Sequence, residues 1–139
     1  FEILNETYVK KLQIEARIIG DMCLNHVIPA AVRYQNILIE NVKGMKDIFG
    51  DDYLNYCASE IETLKKISTY INNVSADVEG LVEARKKANR IEAIAERAKV
   101  YSYEVKDMME KVRMSADNLE MLIDDEVWPL PKYRELLFF

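Results

Sequence analysis

The chain has 139 residues, a formal net charge of −5 and a half-hydrophobic composition with four glycines and three prolines. This length fits one domain with a sizeable core, and so little glycine and proline favours long helices. The negative charge argues against non-specific binding to nucleic acid, and the apolar runs are too short to cross a bilayer. We expect no signal peptide, because the first residues have neither a basic lead nor a small-residue cleavage site. Two cysteines, Cys23 and Cys57, predict buried free thiols in a reducing cytoplasm.

Apolar residues recur at helical spacing over residues 3–48, which predicts a first long helical tract. Pro29 interrupts this tract, because a proline inside a helix loses one backbone hydrogen bond and crowds the carbonyl group of Asn25. We therefore expect a kink or a clean break between residues 25 and 29. Residues 27–32 are consecutively apolar and would cover every side of a helix, so we expect this segment to be buried all round.

Gly50, followed by two aspartates, predicts the end of the first tract and the start of a second helix. The second helix carries an apolar side made of Leu54, Cys57, Ile61, Leu64, Ile71, Val78, Leu81 and Val82. The N-x-x-E spacing of a helix cap in residues 89–92 places the next turn there, and residues 72–75 are a weaker alternative.

A third helix follows, with apolar residues in steps of three and four from Ile91 to Leu122. This spacing is typical of left-handed antiparallel packing. Helices two and three would each have ~35 residues. The predicted fold is all-α: an elongated antiparallel bundle of three long helices, or four if the first divides at Pro29, with an extended C-terminal tail.

No catalytic, cofactor-binding or metal-binding residue is predicted. Cys23 and His26 lie on one helical face, and Cys57 could approach them from the next helix. A zinc site would still lack a convincing fourth ligand, so a buried thiol and a locally hydrogen-bonded imidazole explain these residues better. One histidine is too few for a di-metal carboxylate bundle. Phosphate-binding glycine loops, nucleophile elbows and dinucleotide fingerprints are all missing from the sequence.

The C-terminal tail, residues 127–139, departs from the helical pattern. Two prolines flank Leu130 and favour an extended path, while the surrounding apolar residues predict that the tail docks on another surface. The acidic residues 124–126 before it fit either a docking patch for a basic neighbour or a solvated helix end. The candidate docking residues are Trp128, Leu130, Tyr133, Val27, Ile28 and Val32.

Three segments carry a family resemblance: NHVIPAAVRYQN at residues 25–36, IENVKG at residues 39–44 and DDEVWPLPKYRELLF at residues 124–138. They resemble the C-terminal region of type III glutamine synthetase, and the likeness extends over essentially the whole chain. The resemblance implies that Phe1 lies just beyond the catalytic part of a larger subunit and that Phe139 lies near its natural terminus. This chain would then be a single helical domain, residues 1–139, of a longer enzyme.

The implied parent is a cytoplasmic ligase that joins glutamate and ammonia with ATP and Mg²⁺ and assembles into oligomeric rings. Its ligands for metal, nucleotide and glutamate would lie upstream, so the fragment alone is expected to be inactive. In this hypothesis the partners of the domain are its own catalytic domain and neighbouring subunits. The alternative is a free-standing helical module that binds a partner helix or peptide without enzymatic activity.

Overall fold

The computed structural model describes residues 2–128, with side chains from Leu4 onward, and all regular structure in this part is helical. The helices are α1 (Glu2–Met22), α2 (Ile28–Phe49), α3 (Leu54–Asn89), α4 (Ile94–Val100) and α5 (Lys106–Glu120). π-helical turns at Cys23–Val27 and Tyr101–Val105 join α1 to α2 and α4 to α5, and a 3₁₀ turn, Gly50–Asp52, follows α2. The prediction of an all-α chain is confirmed.

The discontinuity expected near Pro29 is a change of helical register and not a break. The backbone N–H of Ile28 donates to the carbonyl of Cys23, five residues back, and the residues that flank this π-helical turn keep right-handed helical angles. Pro29 then occupies the first turn of α2, where a missing backbone donor is tolerated. The chain therefore accommodates the proline by widening the turn before it.

Burial of residues 27–32 is only partial. Val27, Ala30 and Ala31 are buried, Ile28 is half-buried, and Val32 is 42% exposed. The prediction that this segment is buried all round is therefore wrong for Val32, which lies on a side of α2 that the described part of the chain leaves open.

The turn between the second and third predicted helices lies where the sequence placed it, because α3 ends at Asn89. The capping role assigned to Asn89 is wrong. The residue before α4 is Ala93, and no side chain caps that helix. Instead, the Asn89 side-chain oxygen accepts hydrogen bonds from the Gln13 amide, at 2.9 Å, and from the Tyr101 hydroxyl. Asn89 thus ties α1 and the second π-helical turn to the end of α3.

The predicted third helix is divided by the π-helical turn at Tyr101–Val105. Met109 is buried at 2% exposure, whereas Met108, which the regular spacing had placed in the core, is only half-buried. In α3 the core also contains Ile67 and Val74, which the predicted apolar side omitted, whereas Leu54 is 51% exposed.

The 36-residue helix α3 is the element on which the others pack. Its first half lies beside α2, with Gln35 hydrogen-bonded to Ser68 and Asn41 to Glu60. Its second half lies beside α5, where the Ser115 hydroxyl donates to Asp77. In the pairing of α2 with α3, later residues of α2 lie beside earlier residues of α3, so these two helices run in opposite directions. None of the described helices is long and apolar enough to span a membrane.

Candidate docking surface

The chain reverses direction after α5 through a turn organised by Asp124. The backbone N–H groups of Val127 and Trp128 both donate to the Asp124 carbonyl at 3.0 Å, and the Asp124 carboxylate accepts the N–H of Glu126 at 2.9 Å. Such local bonds from an aspartate stabilise turns. The acidic stretch therefore has a role that neither sequence hypothesis gave it: it turns the chain so that Trp128 points back toward the helices.

Trp128 is 8% exposed and forms part of the wall of a pocket of about 280 Å³ between α1 and α5. One wall comes from α1 and the first π-helical turn, the other from α5; the lining residues are Ile19, Met22, Cys23, Val27, Val112, Arg113, Ala116, Asp117, Glu120 and Trp128. The indole N–H is buried and has no hydrogen-bond acceptor among the described residues. Burial of the apolar indole thus helps to hold the turn on the bundle.

The six predicted docking residues divide into three groups. Val27, 1% exposed, and Trp128 line the same pocket although 101 positions separate them in the sequence. Ile28 packs at the edge of the core, while Val32 is directed to solvent. Leu130 and Tyr133 lie outside the described residues, as does the tail from Pro129 onward.

Charged side chains of α5 form the rim of this pocket. Partial burial raises the pKa of the Asp117 carboxyl, the negative charge of Glu120 raises it further, and Arg113 lowers it. Much of Asp117 remains exposed, so the carboxyl is at the rim and not inside. Arg113 also pairs with Glu110 at 2.6 Å. Ionised Asp117 is therefore in an unfavourable position beside an apolar pocket.

Cys23 lies in the pocket wall, and burial raises the pKa of its thiol to about 11. A thiol of this kind stays protonated at neutral pH and is a weak nucleophile. His26, three residues later, is exposed. Within residues 2–128 no three His, Cys, Asp or Glu side chains come together as a group that could hold a metal ion. The described lining of the pocket, with its protonated thiol and apolar side chains, is thus suited to packing.

The sequence did not identify the residues that receive Trp128. Ile19, Met22 and Val112 could be recognised as apolar positions of helices, and Ala116 and Cys23 as small ones. Nothing in their spacing links them to a residue after α5, since the pocket forms only when α1 and α5 lie side by side.

Comparison with known proteins gives a consistent result. Residues 1–46 match the sequence model of a family described as the glutamine synthetase C-terminal domain. The chain is 46% identical over 138 residues to a glutamine synthetase of Bacteroides fragilis, and 29% identical over 153 residues to a type-3 glutamine synthetase of Dictyostelium discoideum. It is also 29% identical over 138 residues to a glutamine synthetase of Butyrivibrio fibrisolvens. Each alignment covers 99% of this chain but 19% of the relative, so the chain spans about a fifth of the length of these proteins.

Proposed function

We propose that this chain, which belongs to the glutamine synthetase C-terminal domain family, is the structural C-terminal domain of a larger glutamate–ammonia ligase. The observation that carries the proposal is 46% identity along nearly the whole chain to a fifth of one glutamine synthetase. A helical bundle whose described pocket is lined mainly by apolar side chains suits a supporting domain. The resemblance of residues 124–138 noted in the sequence points in the same direction.

In this proposal the chemistry belongs to the upstream part of the parent chain. That part would bind ATP, Mg²⁺ and glutamate and would form glutamine with ammonia in the cytoplasm. This domain would contribute none of the reacting groups. Its elongated antiparallel bundle would instead supply a rigid surface against the catalytic domain of the same subunit and against neighbouring subunits of a homo-oligomer.

Two groups of residues would share the docking role. Trp128 and Val27 would fix the chain after α5 to the bundle, so that the tail with Leu130 and Tyr133 leaves from a defined position. Val32, exposed by 42% on α2, and the neighbouring Ile28 would contact the rest of the enzyme directly. Exposed apolar side chains beside a buried segment favour this arrangement, because interfaces commonly continue a hydrophobic core.

The proposal is tested by comparing two proteins: this 139-residue chain and the longer natural chain that contains it. Both are assayed for ATP-dependent glutamine formation from glutamate and ammonia with Mg²⁺. We expect turnover from the longer protein and none from this chain, which should nevertheless show a helical circular dichroism spectrum. Glutamine formation by the 139-residue chain would contradict the assignment of catalysis to the upstream part. A longer chain without ligase activity would favour the interaction-module alternative.

A further inference from the structure

The part of the bundle made by residues 32–66, here called the arm, has a side with exposed isoleucines that no other described helix covers. Four α2 residues lie on this side in steps of four, three and four: Ile37, Asn41, Gly44 and Ile48. At 100° per residue they fall within an arc of about 60°. Ile37 is 55% exposed and Ile48 is 74% exposed. We call this set the seam.

The seam is distinct from the side of α2 that packs on α3. The α3-facing positions, such as Leu38 and Met45, are rotated by about 100° from Ile37, and Ile39 is rotated by about 200°. The two isoleucines Ile37 and Ile39 therefore lie on opposite flanks of α2. They provide two matched exposed positions on one helix, since Ile39 is 41% exposed.

The seam continues onto α3. The Asn41 amide donates to the Glu60 carboxylate, which places Glu60 on the seam side of α3. Tyr56, one turn earlier on that helix, is 54% exposed and stacks on Phe49 with ring centroids 4.1 Å apart. A Cβ atom added at Gly44 would meet nothing within 4 Å, so a second helix could approach α2 closely there. Together the two helices present one continuous face.

Farther along the bundle, α5 covers α3, as the bond from Ser115 to Asp77 shows, and α5 ends at Glu120. The arm extends past this end as a pair of helices. Three or four helices usually enclose the apolar sides of such a bundle. The arm therefore lacks the helices that would complete it within the described part of the chain.

We propose that the seam is a contact between two copies of this chain, paired through their arms in antiparallel orientation as a four-helix bundle. A twofold contact requires a surface that complements itself. The seam meets this condition, because antiparallel α2 helices can place Ile37 of each copy against Ile48 of the other. In that register Arg33, one turn before Ile37, faces Asp51 and Asp52, which follow the end of α2 in the second copy. The proposal rests on the arm itself and not on the proposed enzymatic function.

The area of the face that carries the seam sets the expected strength of the association between two arms. Residues 37–48 extend for about 17 Å, and two helices side by side are about 20 Å wide, giving a footprint of roughly 340 Å². Stable interfaces bury about 800 Å² on each partner. The arms should therefore associate weakly, with a dissociation constant between about 10 µM and 1 mM.

Sedimentation equilibrium of the 139-residue chain from about 5 µM to about 1 mM tests the pairing. We expect a monomer–dimer equilibrium that Ile37→Glu and Ile48→Glu each weaken by at least about tenfold, since each places two charges in the contact. Ile39→Glu is the matched control on the opposite flank and should leave the equilibrium unchanged. Circular dichroism of each variant verifies that the helices remain folded.

A mixing experiment tests the orientation. A mixture of Ile37→Glu and Ile48→Lys chains should associate more strongly than either variant alone, because the antiparallel pair contains one Glu–Lys and one Ile–Ile contact. The proposal is overturned if the chain stays monomeric at about 1 mM. It is also overturned if Ile39→Glu weakens dimerisation as much as Ile37→Glu and Ile48→Glu do. A dimer without the gain on mixing overturns the antiparallel register. The proposed function is tested separately, by the ligase assay of the longer protein, and does not depend on whether the arms pair.

Discussion

Trp128 stabilises the turn after α5 through burial of its indole, whose N–H has no acceptor among the described residues. Replacing it with alanine removes a large aromatic side chain from the pocket wall. We expect Trp128→Ala to lower the free energy of unfolding by about 3 kcal/mol, within the range for large aromatic truncations in cores. Urea unfolding followed by circular dichroism measures this change.

Trp128→Phe is the control, because it keeps an aromatic ring and loses only the indole N–H and part of the ring area. Trp128→Phe should lower the free energy of unfolding by less than half as much as Trp128→Ala does. Trp128 is the only tryptophan of the chain, so tryptophan fluorescence reports directly on this site. The emission maximum of the folded protein should lie at a shorter wavelength than that of the unfolded protein. An emission maximum typical of free tryptophan in water, or an unchanged stability in Trp128→Ala, would contradict burial of the indole.

Asp117 gives the bundle a pH dependence with a definite sign. The folded-state pKa of this carboxyl is raised, chiefly by burial and then by Glu120, so the folded chain binds this proton more tightly than the unfolded chain. Stability from this group is therefore lowest when it is ionised and increases as the pH falls through the raised pKa. We expect Asp117→Asn to raise the thermal midpoint at pH 7, with the difference disappearing below about pH 4.

Thermal unfolding of the unchanged chain and of Asp117→Asn, measured from about pH 4 to pH 7, checks this expectation. Glu92→Gln, at an exposed position in the turn between α3 and α4, serves as the control and should leave the midpoint unchanged. A lower midpoint for Asp117→Asn at neutral pH would mean that the attraction to Arg113 outweighs desolvation.

At the scale of helices, replacing each of two glycines of the first helical tract with alanine should change the stability of the chain in opposite directions. Gly50 has φ of 60° at the C-terminus of α2, where a side chain is strained, whereas Gly44 lies inside α2 with open space around its Cα. We expect Gly50→Ala to destabilise the chain by about 1 kcal/mol and Gly44→Ala to stabilise it by up to about 1 kcal/mol. Denaturant unfolding at low protein concentration measures both, and the same sign for the two changes would contradict the assigned helix end.

The elements that depend on local chemistry were predictable from the sequence. Gly50 ended the first tract, Pro29 marked the change of register, and the turn after Asn89 was correctly placed. The second π-helical turn had no comparable signal, because Tyr101–Val105 contains neither proline nor glycine. The predicted third helix was therefore drawn as continuous through this turn, and Met108 was assigned to the core position that Met109 occupies. The meeting of Trp128 with Val27 likewise depends on tertiary packing, which spacing within one helix cannot reveal.

Across the whole molecule, burial is distributed unevenly along α3. Val74, Val78 and Leu81 in its second half are buried between α1 and α5, whereas Cys57 is the only buried residue of the arm. Because cooperative stability follows buried apolar contact, the arm should open at a lower free energy than the part of the bundle in which α3 packs against α1 and α5. An isolated pair of helices also encloses less apolar surface than a bundle.

Hydrogen exchange measured by mass spectrometry at low protein concentration tests this difference. We expect backbone amides of the arm to exchange at least about tenfold faster than those of residues 74–88 and 105–119, because local opening suffices to expose them. Raising the protein concentration should slow exchange in the arm alone if the seam pairs two copies, and Ile37→Glu should abolish that effect. Uniform protection along α3 at low concentration would instead show that the arm unfolds only with the whole bundle.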